Sequence, residues 1–207
     1  MKVALDLHDF SILNNRLDLL LKIKEHYPDF KVSLFTVPFD VQYEVNTQAI
    51  IHREAALKKI KECLDWIQII PHGLTHMTNE FEKCDYKLFK DKVMPSIKEA
   101  FDKDGLPFVK GFCAPYWIWN KDVIRALDEE GWWGAIDRNQ PDMLSPKRFY
   151  VYSHSLDEKY YLSNLDTIKL HGHIGSTDND LEKCFVNIFR LPVDTKWCYA
   201  TDFIETK

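Results

Sequence analysis

Apolar residues recur along this chain with two alternating periods. A period of two, as in Val3, Leu5 and Leu7, predicts a strand, and a spacing of three to four predicts a helix. Strands are predicted at Lys2 to Leu7, Lys31 to Val37, Trp66 to Ile70, Val109 to Cys113, Trp133 to Asp137, Phe149 to His154 and Thr167 to His171. Helices are predicted at Ile12 to Tyr27, Arg53 to Leu64, Asp85 to Phe101 with a bend at Pro95, Lys121 to Glu130 and Asp180 to Phe189.

This alternation of strand and helix indicates an α/β fold. The sheet is expected to be parallel and closed, or nearly closed, into a barrel with its chemistry at the carboxyl ends of the strands. With 207 residues, 45% of them hydrophobic, the chain is expected to form a single domain over residues 1–207.

Charge and cysteine content exclude several classes of partner. A net charge of -5 with scattered lysines and arginines predicts no nucleic-acid partner, and no apolar segment is long enough to span a membrane. The chain enters a strand at once, without a signal peptide, and its five cysteines form no CxxC pair. We therefore expect a soluble cytoplasmic protein without a disulfide framework.

Candidate metal chemistry begins with His72 and His76, which follow a buried strand. A four-residue spacing places two imidazoles on one face of a helical turn, close enough to bind one divalent ion. Asp9, after the first strand, offers a carboxylate at the same end of a parallel sheet. Two imidazoles and one carboxylate leave the open coordination position that a hydrolytic first-row metal needs for its water.

Four segments together resemble the polysaccharide deacetylases of carbohydrate esterase family 4, the NodB homology domain, in its branch with a His-Asp first motif. They follow the family's order and approximate spacing: Leu7-His8-Asp9-Phe10, His72-Gly73-Leu74-Thr75-His76, Gly111-Phe112-Cys113-Ala114-Pro115-Tyr116 and Ile168-Lys169-Leu170-His171. The resemblance implies a distorted barrel of about seven strands, a zinc or similar ion on Asp9, His72 and His76, and hydrolysis of an N-acetyl group on a sugar.

Two positions depart from the commoner form of that family. His8 stands where the family carries an aspartate that acts as general base, and an imidazole can take that role at neutral pH. Asp6, two residues earlier on the same strand face, is the alternative candidate for the base. It is otherwise expected to orient His8 or to be a buried acid satisfied by backbone amides. Cys113 stands where the third motif usually carries arginine, and we interpret it as a buried structural thiol.

The remaining site residues follow from the same resemblance. Pro115 and Tyr116 are expected to border the substrate, with the Tyr116 backbone N–H stabilising the oxyanion. His171 is the preferred acid that protonates the leaving amine, and His173, beyond Gly172, is the alternative. Four tryptophans are candidates either for a sugar subsite or for the core: Trp117, Trp119, Trp132 and Trp133.

The leading hypothesis is a metal-dependent deacetylase of an N-acetylated or O-acetylated sugar or glycan. The alternatives are a hydrolase of a non-peptide C–N bond in a small metabolite and a catalytically degenerate member of the fold that binds carbohydrate. A non-heme iron oxygenase shares the two-histidine, one-carboxylate ligand set, but the alternation of strands and helices argues against its usual all-β scaffold.

Overall fold

The structure is a computed structural model that describes residues 1–39, 47–140, 144–158, 165–175 and 177–207, with the backbone alone at 47–51. Within these residues the strands are β1 (Lys2–Phe10), β2 (Val32–Thr36), β3 (Ile67–Pro71), β4 (Gly111–Phe112), β5 (Trp133–Ile136), β6 (Arg148–Val151), β7 (His154–Ser155), β8 (Thr167–His173), β9 (Lys196–Cys198) and β10 (Glu205–Thr206).

Parallel strands follow one another around a distorted barrel. One sheet has the order β3, β2, β1, β8, β7, and the other joins β4, β5 and β6 in parallel. Strands β6 and β7 are two parts of one interrupted strand, since β6 pairs with β5 and β7 pairs with β8. On the opposite side, isolated bridges from Ile69 to Phe108 and from His72 to Cys113 connect β3 to the β4 segment. The described strands therefore occupy seven parallel positions, and the predicted α/β barrel fold is confirmed.

Alternation along the strands divides the core into two layers. Outward-facing residues such as Leu34 and Ile69 pack with helix residues in the larger cluster. Their neighbours Phe35 and Ile70 belong to a second cluster inside the barrel, with Trp133 and Tyr150 among its other members. Side chains at positions i and i+2 share a face of a strand. Any polar residue two positions away from an inward-facing residue therefore also lies inside the barrel.

The helices cover the outside of the barrel. They are α1 (Leu17–His26), α2 (Thr47–Lys61), α3 (Tyr86–Leu88), α4 (Met94–Asp104), α5 (Lys121–Glu129) and α6 (Leu181–Ile188). A π-helical turn at Phe89–Val93 joins α3 to α4 directly before Pro95. Since proline has no N–H and its ring crowds the preceding turn, wider i→i+5 bonding accommodates it at the position where the sequence predicts a bend. Among the described residues, no helix combines the length and apolar character that crossing a membrane requires.

The sequence pattern did not predict β9 or β10, and it ended β1 too early. Strand β9 pairs with the first half of β1, from Lys2 to Ala4, beside the point where β2 begins to pair at Asp6. Strands of two or three residues carry too few positions for a periodic signal. The extension of β1 to Phe10 matters more, because it places His8 and Asp9 inside the strand instead of after it.

We expect Gly111→Ala to lower the free energy of unfolding by about 1–3 kcal/mol, because overpacking a filled core costs this much. A Cβ at Gly111 would lie 2.3 Å from the indole of Trp133, which is itself buried. Urea unfolding followed by circular dichroism measures the change. Lys110→Ala, on the exposed neighbouring position, is the matched control, and equal stability of both variants would contradict this packing.

Candidate metal centre

A bulge in β1 turns two consecutive side chains toward one site. Neighbouring residues of a regular strand face opposite sides. Asp9 has a φ of 61°, in the left-handed region, and the pairing of β1 with β2 shifts register between Leu7 and Phe10. A bulge of this kind re-aims a side chain. As a result, His8 follows Asp6 into the barrel interior while Asp9 is available at the rim.

The two histidines of the second motif lie in an irregular loop, and the helical turn expected from their spacing is absent there. Gly73 has a φ of 66°, and a Cβ at this position would lie 2.5 Å from Glu80 and 2.6 Å from Pro115. The Glu80 carboxylate accepts hydrogen bonds from the backbone N–H groups of Leu74 (3.1 Å) and Thr75 (3.0 Å). Glycine and this carboxylate fold the loop back, which brings His76 beside His72.

Asp9, His72 and His76 converge on one point. Asp9 Oδ1 lies 3.2 Å from His72 Nε2 and 2.8 Å from His76 Nε2, and the three potential ligand atoms all lie within 4.8 Å of one another. The Nδ1–H of His72 donates to the carbonyl oxygen of Cys113 at 3.0 Å. This bond fixes the tautomer that leaves the Nε2 lone pair free, as ligating histidines require.

Electrostatics keep the carboxylate ionised. Burial opposes the charge of Asp9, but the neighbouring His72 and His76 imidazoles hold the pKa of its carboxyl well below the usual value. Burial lowers the pKa of His76, and the hydrogen bond and charge of Asp9 outweigh it, so that the net shift is upward. An ionised carboxylate between two imidazole nitrogens is a donor set that suits zinc.

Beneath this cluster lies a second, fully buried group. Asp6 is 1% exposed, and its carboxylate accepts one hydrogen bond from His171 Nδ1–H and one from the Tyr150 hydroxyl, each 2.7 Å long. His8 Nε2 lies farther from Asp6 Oδ2, at 3.5 Å. Asp6 is therefore satisfied mainly by these two side chains. Burial lowers the pKa of His8 well below its ordinary value, and the charges of neighbouring histidines lower it further, so its imidazole is neutral.

The third motif forms a strained turn over the cluster. Tyr116 and Trp117 both have φ near 56°, unusual for residues with side chains, and such strain is concentrated at functional sites. Tyr116 is half-exposed with its ring 5.3 Å from that of His76, and Trp117 covers His8 at 5.5 Å. Burial raises the pKa of the Cys113 thiol well above its ordinary value, in keeping with a structural role. The other three candidate tryptophans are buried: Trp119, Trp132 and Trp133.

A cleft of about 450 Å³ opens over the candidate ligands. Its walls include His8, Tyr116, Trp117 and His173 from the predicted site. Burial lowers the pKa of His173, and the charge of His171 lowers it further. The Nε2 atom of His171 is buried without a hydrogen-bond partner among the described residues, as is the indole N–H of Trp117. Pro115 lies behind the wall, packed against Gly73.

Sequence reasoning missed three residues that hold the site together. Glu80 anchors the histidine loop, Tyr150 binds Asp6, and Asn179 accepts a 2.7 Å hydrogen bond from His173. Tyr150 is far from the motifs in sequence, whereas Asn179 follows His173 by six residues in a turn. Glu80 is likewise close, since it follows the second histidine by four residues.

No family model matches this sequence, and no curated protein sequence matches it. Solved structures do. A peptidoglycan N-acetylglucosamine deacetylase superposes with a TM-score of 0.64 and 13% identity, covering 100% of this chain and 89% of that one. A family 4 carbohydrate esterase from Streptomyces lividans gives 0.58 and 12%, with coverage of 96% and 90%.

This chain has the fold of the family 4 carbohydrate esterases. A family 4 pseudoenzyme from Bacillus anthracis has the same fold, with a TM-score of 0.55, 13% identity, and coverage of 98% of this chain and 64% of that one. The esterase fold predicted from the four motifs is thus confirmed. Since this fold is found in a deacetylase and in a pseudoenzyme, activity must be argued from the site itself.

We expect His76→Ala to remove most zinc binding and leave the fold intact, because the residue sits on a rim loop above the core. Metal content after dialysis against zinc and the far-ultraviolet circular dichroism spectrum measure the two effects. His26→Ala, an exposed histidine at the end of α1, is the control. Unchanged zinc content, or global unfolding of the variant, would contradict the assignment.

Proposed function

We propose that this protein is a metal-dependent deacetylase that hydrolyses the acetyl group of an N-acetylated or O-acetylated sugar or glycan. The observation that carries the proposal is the convergence of Asp9, His72 and His76 at the floor of a cleft on the esterase fold. A protein that only binds carbohydrate has no need of this donor set.

The donor set fits a divalent ion. One ionised carboxylate and two imidazole nitrogens converge, and the His72 tautomer is fixed by a backbone carbonyl. Zinc held by these residues would act as a Lewis acid that polarises the acetyl carbonyl and activates the attacking water.

The chain supplies the proton transfers and the oxyanion contact. His8 is neutral and lines the cleft next to Asp9, so it is placed to accept a proton from the attacking water. Our candidate donor to the developing oxyanion is the backbone N–H of Tyr116, which lies in the strained turn of the third motif. A histidine of β8 then protonates the leaving nitrogen, and Asp6 orients His171 in the layer below.

The substrate class follows from the cleft. Its volume falls in the range of small-molecule sites, and Tyr116 and Trp117 offer aromatic surface against which a sugar ring can stack. One of the similar structures is a peptidoglycan N-acetylglucosamine deacetylase, and another is a family 4 carbohydrate esterase. We favour a carbohydrate on these grounds over an unrelated small amide.

All five cysteines are buried free thiols, which supports a cytoplasmic location.

We expect the zinc-loaded protein to release acetate from N-acetylglucosamine oligosaccharides or from acetylated xylan. A chelator should abolish release, because the Lewis acid is lost, and added zinc should restore it. An enzymatic acetate assay across a panel of acetylated sugars measures this. Carbohydrate binding by titration calorimetry without any acetate release would instead support the degenerate member of the fold.

We expect His8→Gln to lower turnover by about 100-fold or more while zinc content stays unchanged, since positioned proton transfer contributes at least this factor. The same assay, with metal analysis of each preparation, tests both halves. His26→Ala again serves as the matched histidine control. Equal turnover of the variant and the wild type would exclude His8 as the base.

A further inference from the structure

The two histidines of β8 occupy different depths in the barrel. In the parallel register of β1 and β8, His171 pairs with Asp6, whereas His173 pairs with His8. Two residues along a strand correspond to roughly 6.6 Å, so His173 lies one side-chain layer closer to the carboxyl ends of the strands. Both rings contact that of His8, with centroid distances of 4.6 Å for His171 and 5.6 Å for His173.

His171 is enclosed. It is 2% exposed, its ring stacks on Tyr152 at 4.4 Å, and Trp117 packs on it at 5.4 Å. Its Nδ1–H is bound to Asp6, and its Nε2 is buried from solvent. His171 is not among the residues that line the cleft, whereas Trp117 and His173 are.

His173 lines the cleft, and Asn179 holds it there. The Asn179 Oδ1 atom lies 2.7 Å from His173 Nδ1 and also accepts from the Thr177 hydroxyl at 2.9 Å. The backbone N–H of His173 donates to the Asn179 carbonyl at 3.2 Å. A Cβ on Gly172 would lie 3.0 Å from that same carbonyl oxygen, so the asparagine segment packs directly on β8.

Hydrogen-bond polarity fixes the tautomer of His173. The Ser155 hydroxyl donates its proton to Asp157, so it can only accept from the Asn179 amide, whose Nδ2 lies 3.0 Å away. The Asn179 amide oxygen must then face His173. The His173 Nδ1 atom, which lies opposite that oxygen, must therefore carry the ring proton. Nε2 is left as the nitrogen free to exchange a proton in the cleft.

We propose that His173 is the catalytic acid that protonates the leaving nitrogen, and that Asn179 is its positioning residue. This inference rests on the proposed deacetylase function. The proton that His8 takes from the attacking water passes to Nε2 of His173, whose ring packs against that of His8. His173 donates this proton to the amine nitrogen as the C–N bond breaks, and the bond's electron pair remains on nitrogen. His173 returns to the neutral form with its Nδ1–H on Asn179.

The test compares two leaving groups on the zinc-loaded full chain. An amine leaves only when protonated, whereas 4-nitrophenolate leaves without help. His173→Gln should therefore lower acetate release from N,N′-diacetylchitobiose by about 100-fold or more and change hydrolysis of 4-nitrophenyl acetate by less than about 5-fold. His171→Gln should lower both reactions by the same factor, because it acts on the layer beneath His8.

Asn179 variants separate positioning from packing. Asn179→Leu, which has no acceptor, should show the same amide-selective loss, and Asn179→Asp, which keeps an oxygen toward Nδ1–H, should restore most of the rate. Histidine ¹⁵N shifts of the zinc-loaded protein should show a protonated Nδ1 and an unprotonated Nε2 for His173 in the wild type, and tautomer exchange in Asn179→Leu.

The outcomes are distinct. An amide-selective loss in His171→Gln but not in His173→Gln would overturn the assignment of the acid. Equal loss on both substrates in His173→Gln would also overturn it. If the wild type hydrolyses neither substrate, the proposed function fails and the acid role fails with it, whereas the ¹⁵N shifts still decide for or against the role of Asn179.

Discussion

The left-handed conformation of Asp9 is the constraint on which the site depends. It lets a single strand contribute a buried imidazole and a rim carboxylate from adjacent positions, which a regular pleat forbids. Aspartate adopts positive φ more readily than most residues, so the residue type that offers the carboxylate also makes the bulge less costly. A β-branched residue at this position would disfavour the bulge as well as remove a ligand.

Much of this arrangement could be predicted from the sequence. Hydrophobic alternation located the major strands, and the order of motifs indicated which strand ends meet. The path of the backbone between the motif residues could not be predicted from the sequence. The His72 to His76 segment is folded by Gly73 and Glu80 instead of a helical turn, and the bulge at Asp9 left no periodic trace. Asn179 was missed because it lies in a turn, where no hydrophobic period marks its contact with His173 six residues earlier. The expectation of one domain over residues 1–207 stays a prediction.

The barrel interior concentrates histidines in a dry environment. His8, His72 and His171 are each about 2% exposed, and their rings pack edge to face around His8. Charging several of them together would place like charges within a few ångströms in a low dielectric. Asp6 supplies the compensating negative charge, and Tyr150 satisfies its second oxygen. The same fold occurs in a pseudoenzyme, so the fold alone does not decide activity.

The neighbours of β1 have a consequence for how the chain is made. Val3 pairs with Ile168 of β8 and with Trp197 of β9, so the central strand obtains these partners from residues synthesised late. Among the described strands that pair with β1, β2 alone lies close to it in sequence, and it pairs with Asp6 to Phe10. Contacts this distant in sequence slow folding because long loops must close first. This side of β1 therefore stays unpaired until β8 and β9 have been synthesised.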